Sequence, residues 1–139
     1  MATVTYVSPE VSAGIQPKGL RVGLIATSAV YSFAAVSYTA GDVIQMIKVP
    51  ANAAVVDLKI SASTGLAGSV TVGDGVDADR YHSGYALGVS VAVASMNGVQ
   101  YVPYFYSTDD TIDLTHSASA SGSIGNGFVC VFAIYSMDT

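Results

Sequence analysis

Apolar and polar residues alternate with a period of two along most of this chain, and the pattern is clearest between Gly41 and Ser61. In the second half of that stretch Val56, Leu58 and Ile60 fall on one face and Asp57 and Lys59 on the other, which is the signature of a half-buried strand. Pro50 cannot donate to a sheet ladder, so it closes the strand Val43–Val49 and starts a turn through Ala51 and Asn52. The same reading predicts strands at Leu20–Thr27, Val30–Tyr38, Ala53–Ser61 and Ala67–Gly73. Tyr85–Ala94 reads as a strand or a short buried helix, with Val89, Val91 and Val93 at a period of two favouring the strand, and strands at Gln100–Ser107 and Thr111–Thr115 follow. Asn97-Gly98 and Asp109-Asp110 supply turns. The last strand, Gly127–Tyr135 (GFVCVFAIY), is apolar at almost every position, which predicts a strand covered on both faces.

Eight or nine short strands with turn signals every 8–12 residues, and no amphipathic helix, predict an all-β sandwich or barrel, a class of which jelly rolls are one member. Residues 20–139 form that single domain. Residues 1–19 (MATVTYVSPEVSAGIQPKG) show no sustained period and are broken by Pro9, Gly14, Pro17 and Gly19. They read as a frayed terminus or as an extended arm docking on a neighbour. The apolar beads Val4, Tyr6, Val7, Val11 and Ile15 favour the arm.

Composition sharpens the picture. Only 11% of the 139 residues are charged, 51% are hydrophobic, and mean hydropathy is +0.51. No run of about 18 apolar residues is present, so a membrane-spanning helix is not expected. The first residues lack the basic and apolar regions of a signal peptide. A chain this apolar is therefore expected to hide part of its outside against partners. The net charge is −5, and Lys18, Arg21, Lys48, Lys59 and Arg80 are scattered, which argues against nucleic acid as a partner. The single cysteine, Cys130, excludes an intrachain disulfide and reads as a small buried hydrophobe.

Candidate chemistry is sparse. Asp74, Asp77 and Asp79 in the loop Gly73–Gly84 supply oxygen ligands of the kind calcium takes, without an EF-hand spacing. Solvated turn-capping acids are the alternative, with Arg80 paired to Asp77 or Asp79. His82 and His116 have no companion at metal-ligand spacing. Ser83, His82 and Asp79 allow a triad to be drawn, but no nucleophile elbow supports it. No catalytic residue, metal or cofactor is expected. Nine Tyr, four Phe and no Trp are present, with Tyr101, Tyr104, Phe105 and Tyr106 around Pro103. Tyrosine suits interfaces, so Tyr104 and Tyr106 join the arm residues as candidate partner contacts.

The order of segments carries a resemblance. An apolar strand leads into YTAGDVIQMIKVPANAAVVDLKIS (Tyr38–Ser61), then VTVGDGVDADRYHSG (Val70–Gly84), the Tyr106–Thr115 run with STDDTIDLT, and the terminal GFVCVFAIY. Over residues 30–135 the chain resembles the small head decoration, or cement, proteins of tailed bacteriophages, the short-tailed ones in particular. The resemblance implies a jelly-roll-like β-sandwich of about eight strands on the outer surface of an icosahedral head, assembled in the host cytoplasm. Such a protein binds the major capsid protein during or after shell expansion, bridges neighbouring subunits, and self-associates as a dimer or trimer. No motif residue transfers position by position. A carbohydrate- or surface-binding sandwich, a tail or baseplate component, and a small hydrolase remain the competing readings.

Overall fold

The computed structural model describes residues 3–14, 23–33, 38–88, 94–95, 103–117 and 125–137. Two sheets face each other. The first holds β1 (Thr5–Val7), β3 (Val43–Val49), β9 (Asp110–His116), β5 (Ser69–Gly73) and β6 (His82–Ala86), in that order. The second holds β2 (Gly23–Phe33), β10 (Gly127–Met137), β4 (Ala53–Ala62) and β7 (Ala94–Ser95), with β8 (Tyr104–Tyr106) also pairing β4. With β7 and β8 counted as one interrupted strand and β1 set aside, the eight remaining strands have jelly-roll order. The first pairs the last in one sheet, the second pairs the next-to-last in the other, and every connection but the β5–β6 hairpin crosses between sheets.

Alternation builds the core between the sheets. Ile44, Val49, Val70, Val72, Ile112 and Leu114 point inward from the first sheet, and Val55, Leu58, Ile60, Val129, Val131 and Tyr135 from the second, all fully buried. Two bulges correct the simple period of two. On β4 the register slips between Ile134 and Tyr135 of the partner strand, leaving Val56 as the extra residue. Val55, rather than Val56, therefore shares the inner face with Leu58 and Ile60. On β3 a slip between Gln45 and Ile47 lets Met46 and Ile47 both bury. Asn52 closes the Pro50 turn with a left-handed φ of 67°.

Three further expectations change. The two strands expected at 20–27 and 30–38 are one strand, β2, because alternation runs unbroken through Ser28 and Ala29, with Ser28 outward and Ala29 inward. Strand β6 begins at His82, before the Tyr85 start expected, and pairs with β5. The described part of the arm lies on its own domain: β1 adds in parallel to β3, and a single helical turn, α1 (Pro9–Ser12), is capped by the Ser8 hydroxyl. Tyr101, Ile15 and the Asn97-Gly98 turn lie outside the described residues.

Candidate functional site

The outer faces of the two sheets are chemically different. On the first sheet the outward positions are Gln45 and Lys48 on β3, Thr111, Asp113 and Thr115 on β9, and Ser69 and Thr71 on β5. On the second they are Leu24, Ala26, Ser28 and Val30 on β2, and Phe128, Cys130, Phe132 and Ile134 on β10. Ala54 on β4 and Phe105 on β8 extend that face at one end, where they pair directly. Leu24 is 67% exposed, Phe105 54%, Phe128 50% and Val30 41%. Asp57 and Lys59 are the charges that β4 brings to this face.

The expectation that β10 is covered on both faces thus fails within one chain. Its inner positions are fully buried, whereas its outer ones are half-buried or open. Cys130 is accordingly half-buried on the outer face rather than in the core. An apolar outer sheet face of this kind is what remains when a strand is built for two neighbours and its own fold supplies one.

The aromatic and acidic residues meet elsewhere, in a polar tie between the sheets. Asp74, buried in the turn after β5, is its centre. Its Oδ1 accepts from the backbone N–H groups of Val76 (3.0 Å) and Asp77 (2.8 Å). Its Oδ2 accepts from Arg80 Nε and from the Tyr106 hydroxyl (2.9 Å). Tyr81 and Tyr106 share a hydroxyl–hydroxyl bond of 2.6 Å, and Arg80 lies 3.8 Å above the Tyr104 ring, a cation–π contact. Burial would push the Asp74 carboxyl up, but Arg80, the two N–H groups and Tyr106 hold it below the ordinary range. Burial pushes the Tyr81 and Tyr106 hydroxyls well up, so both stay protonated.

This arrangement revises several sequence readings. Arg80 pairs chiefly with Asp74, with Asp77 at 3.9 Å. Tyr106 is 4% exposed and committed to the tie, and Tyr104 is half-buried under Arg80. Of the arm residues, Val4 and Val7 are exposed, whereas Tyr6 and Val11 are half-buried. Asp74 turns inward, away from Asp79 at the exposed tip, and no group of three metal-ligating side chains forms among the described residues. The drawn triad is not assembled: His82 Nδ1 accepts the Gly84 N–H (3.1 Å), so it cannot donate to Asp79 in that state. A cleft of about 300 Å³ on the polar sheet is lined by Gln45, Lys48, Asp109, Asp110 and Thr111, without a nucleophile–base pair. Sequence reasoning missed the Asp74 centre because its partners are distant, Tyr106 lying 32 positions away.

No protein-family description matches the chain, and no curated protein sequence does. Solved structures do match. A chain in the capsid of Ralstonia phage GP4 superposes with a TM-score of 0.73 at 14% identity, over 98% of this chain and 99% of that one. A chain of the cyanophage Pam1 capsid asymmetric unit gives 0.66 at 18% identity, covering 88% and 91%. One from the acid-stable capsid of Helicobacter pylori bacteriophage KHP30 gives 0.63 at 12% identity, covering 86% and 92%. At these identities the likeness is one of fold, and it covers 86% or more of this chain and 91% or more of each of the others.

Proposed function

We propose that this protein is a structural component of a phage virion, bound to the outer surface of an icosahedral capsid. There it bridges major capsid subunits and strengthens the shell. The observation that carries the reading is the apolar outer face of the β2–β10–β4 sheet, on which Leu24, Val30 and Phe128 are exposed. The likeness to chains found in phage capsids supports a capsid as the surface that would cover it. Because coverage is near complete on both sides, the counterpart is a chain of similar size rather than a domain of a much larger one.

Area supports the same reading. Strands of eleven residues at about 3.4 Å per residue, three abreast at about 4.8 Å, present roughly 500 Å². Matched by the partner, that gives about 1,000 Å², the lower bound for a specific interface. A lattice then multiplies such contacts, particularly if the protein self-associates as a dimer or trimer. Exposed Val4, just before β1, and Val7 on it, with half-buried Val11 and Tyr104, serve as secondary contacts, and Ile15 extends the arm. Binding of this kind needs no cofactor, and it places the protein on the virion after assembly in the host cytoplasm.

The test is co-sedimentation with expanded capsid shells. The unaltered protein should saturate at a fixed ratio to coat protein. Leu24→Glu with Phe128→Glu should keep the melting temperature within a few degrees, since both side chains are exposed, and lose at least tenfold in affinity. Unchanged binding of that double variant would remove the apolar face from the interface. No binding by the unaltered protein would overturn the capsid reading itself.

A further inference from the structure

Where β1, β3 and β9 meet, two buried ionisable residues sit under an aromatic stack. Asp42 is 2% exposed, and its carboxylate accepts from the backbone N–H of Val4 (3.1 Å), the backbone N–H of Thr39 (2.9 Å) and the Thr39 hydroxyl (3.2 Å). The Val43 N–H returns a bond to the Val4 carbonyl (3.0 Å). Asp42 is thus the side-chain anchor at the start of β1, and the Ser8 hydroxyl, donating to the Met46 carbonyl (2.7 Å), is the one at its end. His116, also 2% exposed, donates its backbone N–H to the Asp42 carbonyl (2.9 Å) and accepts from Gly41 (2.7 Å). Its ring stacks on Tyr38 at 5.0 Å, and Tyr6 of β1 tilts against the other side of that cluster, 4.8 Å from Tyr38. His116 Nε2 is buried and has no hydrogen-bond partner.

We infer that Asp42 and His116 form an acid-sensitive latch that holds the arm, residues 3–7, on β3 at neutral pH and releases it in acid. The titratable groups around it are Tyr6 from β1, Tyr31 from β2, Tyr38, Asp42 and His116. Ion pairs among the described residues involve Arg80 alone, so no described Lys or Arg competes. Burial pushes Tyr6 and Tyr38 up, and they stay neutral throughout the acid range. Among the described residues, a proton arriving on His116 has one anion acting on it, Asp42, whose oxygens are already committed to Val4 and Thr39. Drawing the carboxylate toward the imidazolium takes the anchor from the arm.

The direction follows from burial, which moves His116 below its ordinary value, with Asp42 opposing. A group lowered in the folded state contributes stability above its unfolded pKa, here about 6.5, and loses it as pH falls through the folded one. Asp42 is also lowered: burial opposes, but the Thr39 and Val4 bonds win, so it stays charged across that window.

The experiment is amide exchange followed by NMR on the full chain, with rates corrected for their intrinsic pH dependence. Protection at Val4 and Val43 should fall at least tenfold between pH 7 and pH 4.5, while Ile60 and Val131 in the other sheet hold. His116→Phe and His116→Gln should abolish that step, and the onset in the unaltered protein should coincide with the His116 ring titration. Constant arm protection over this range would overturn the latch. So would the same loss in both variants, or an onset displaced by a pH unit or more from the ring titration.

Discussion

Replacing Asp113 by Asn should stabilise the protein at alkaline pH and do little at acid pH. Asp113 lies on β9 between Gln45 of β3 and Gly73 of β5, and it is 5% exposed although it belongs to an outer sheet face. The turn after β5 folds back over Gly73, its direct neighbour, and one carboxylate oxygen is left without a partner. Burial pushes the carboxyl up to about 7, the Thr111 hydroxyl opposes, and the nearby Asp110 and Asp74 add to the rise. The folded form therefore keeps its proton where the unfolded chain has lost it. Stability falls as pH rises from about 4 to about 7, and the loss is complete above that. A displacement of roughly three pH units corresponds to about 4 kcal/mol at most. The new amide also needs partners, which reduces the expected gain to about 1–3 kcal/mol at pH 8. Urea unfolding at fixed protein concentration, at pH 4.5 and pH 8, measures it. Parallel pH profiles for the variant and the unaltered protein would refute the reasoning.

Tyr106→Phe removes the hydroxyl that donates to Asp74 and meets Tyr81, and both groups are buried, so a loss of about 1–3 kcal/mol in the same assay is expected. Gly73→Ala places a Cβ against the Asp77 carbonyl and the Ala78 backbone, which should displace the turn and cost about 1–3 kcal/mol. Gly84→Ala meets open space at an ordinary backbone conformation and should stay within about 0.5 kcal/mol, which makes it the control.

Strands β3, β4, β9 and β10 were legible because each alternates, or is apolar throughout, over seven or more residues. β2 was read as two strands with a break at Ser28 and Ala29, yet Ser28 fits a strand whose outer face is open and Ala29 is small enough for the inner one. The bulge at Val56 was illegible, since it is defined by the register against β10 and not by local residues. Strand order was equally hidden: β2 pairs β10 across most of the chain length, and nothing local encodes that. The apolar outer face was visible as an excess of hydrophobicity in GFVCVFAIY. The inner tie was not, because Asp74 finds Arg80 nearby but Tyr106 only through the fold.

The placement of the two clusters bears on how such a sandwich could carry load. One links the β5–β6 turn of the first sheet to β8 of the second through Asp74 and Tyr106. The other brings Tyr38 and His116, beside the first sheet, against Phe33 of β2 and joins Tyr31 to Tyr38 at 3.0 Å. Between them the sheets meet through apolar side chains, which resist separation strongly but impose little direction on sliding. A protein that adheres through one sheet transmits any displacement of its base across that layer. Directional bonds at two places, Asp74–Tyr106 and Tyr31–Tyr38, oppose the slip that dispersion and burial leave soft. Tyr106→Phe should therefore lower the unfolding free energy while leaving shell binding intact, because Tyr106 faces away from the apolar surface formed by Phe105 and its neighbours. Loss of binding in that variant at a temperature where it stays folded would mean that the tie shapes the interface itself.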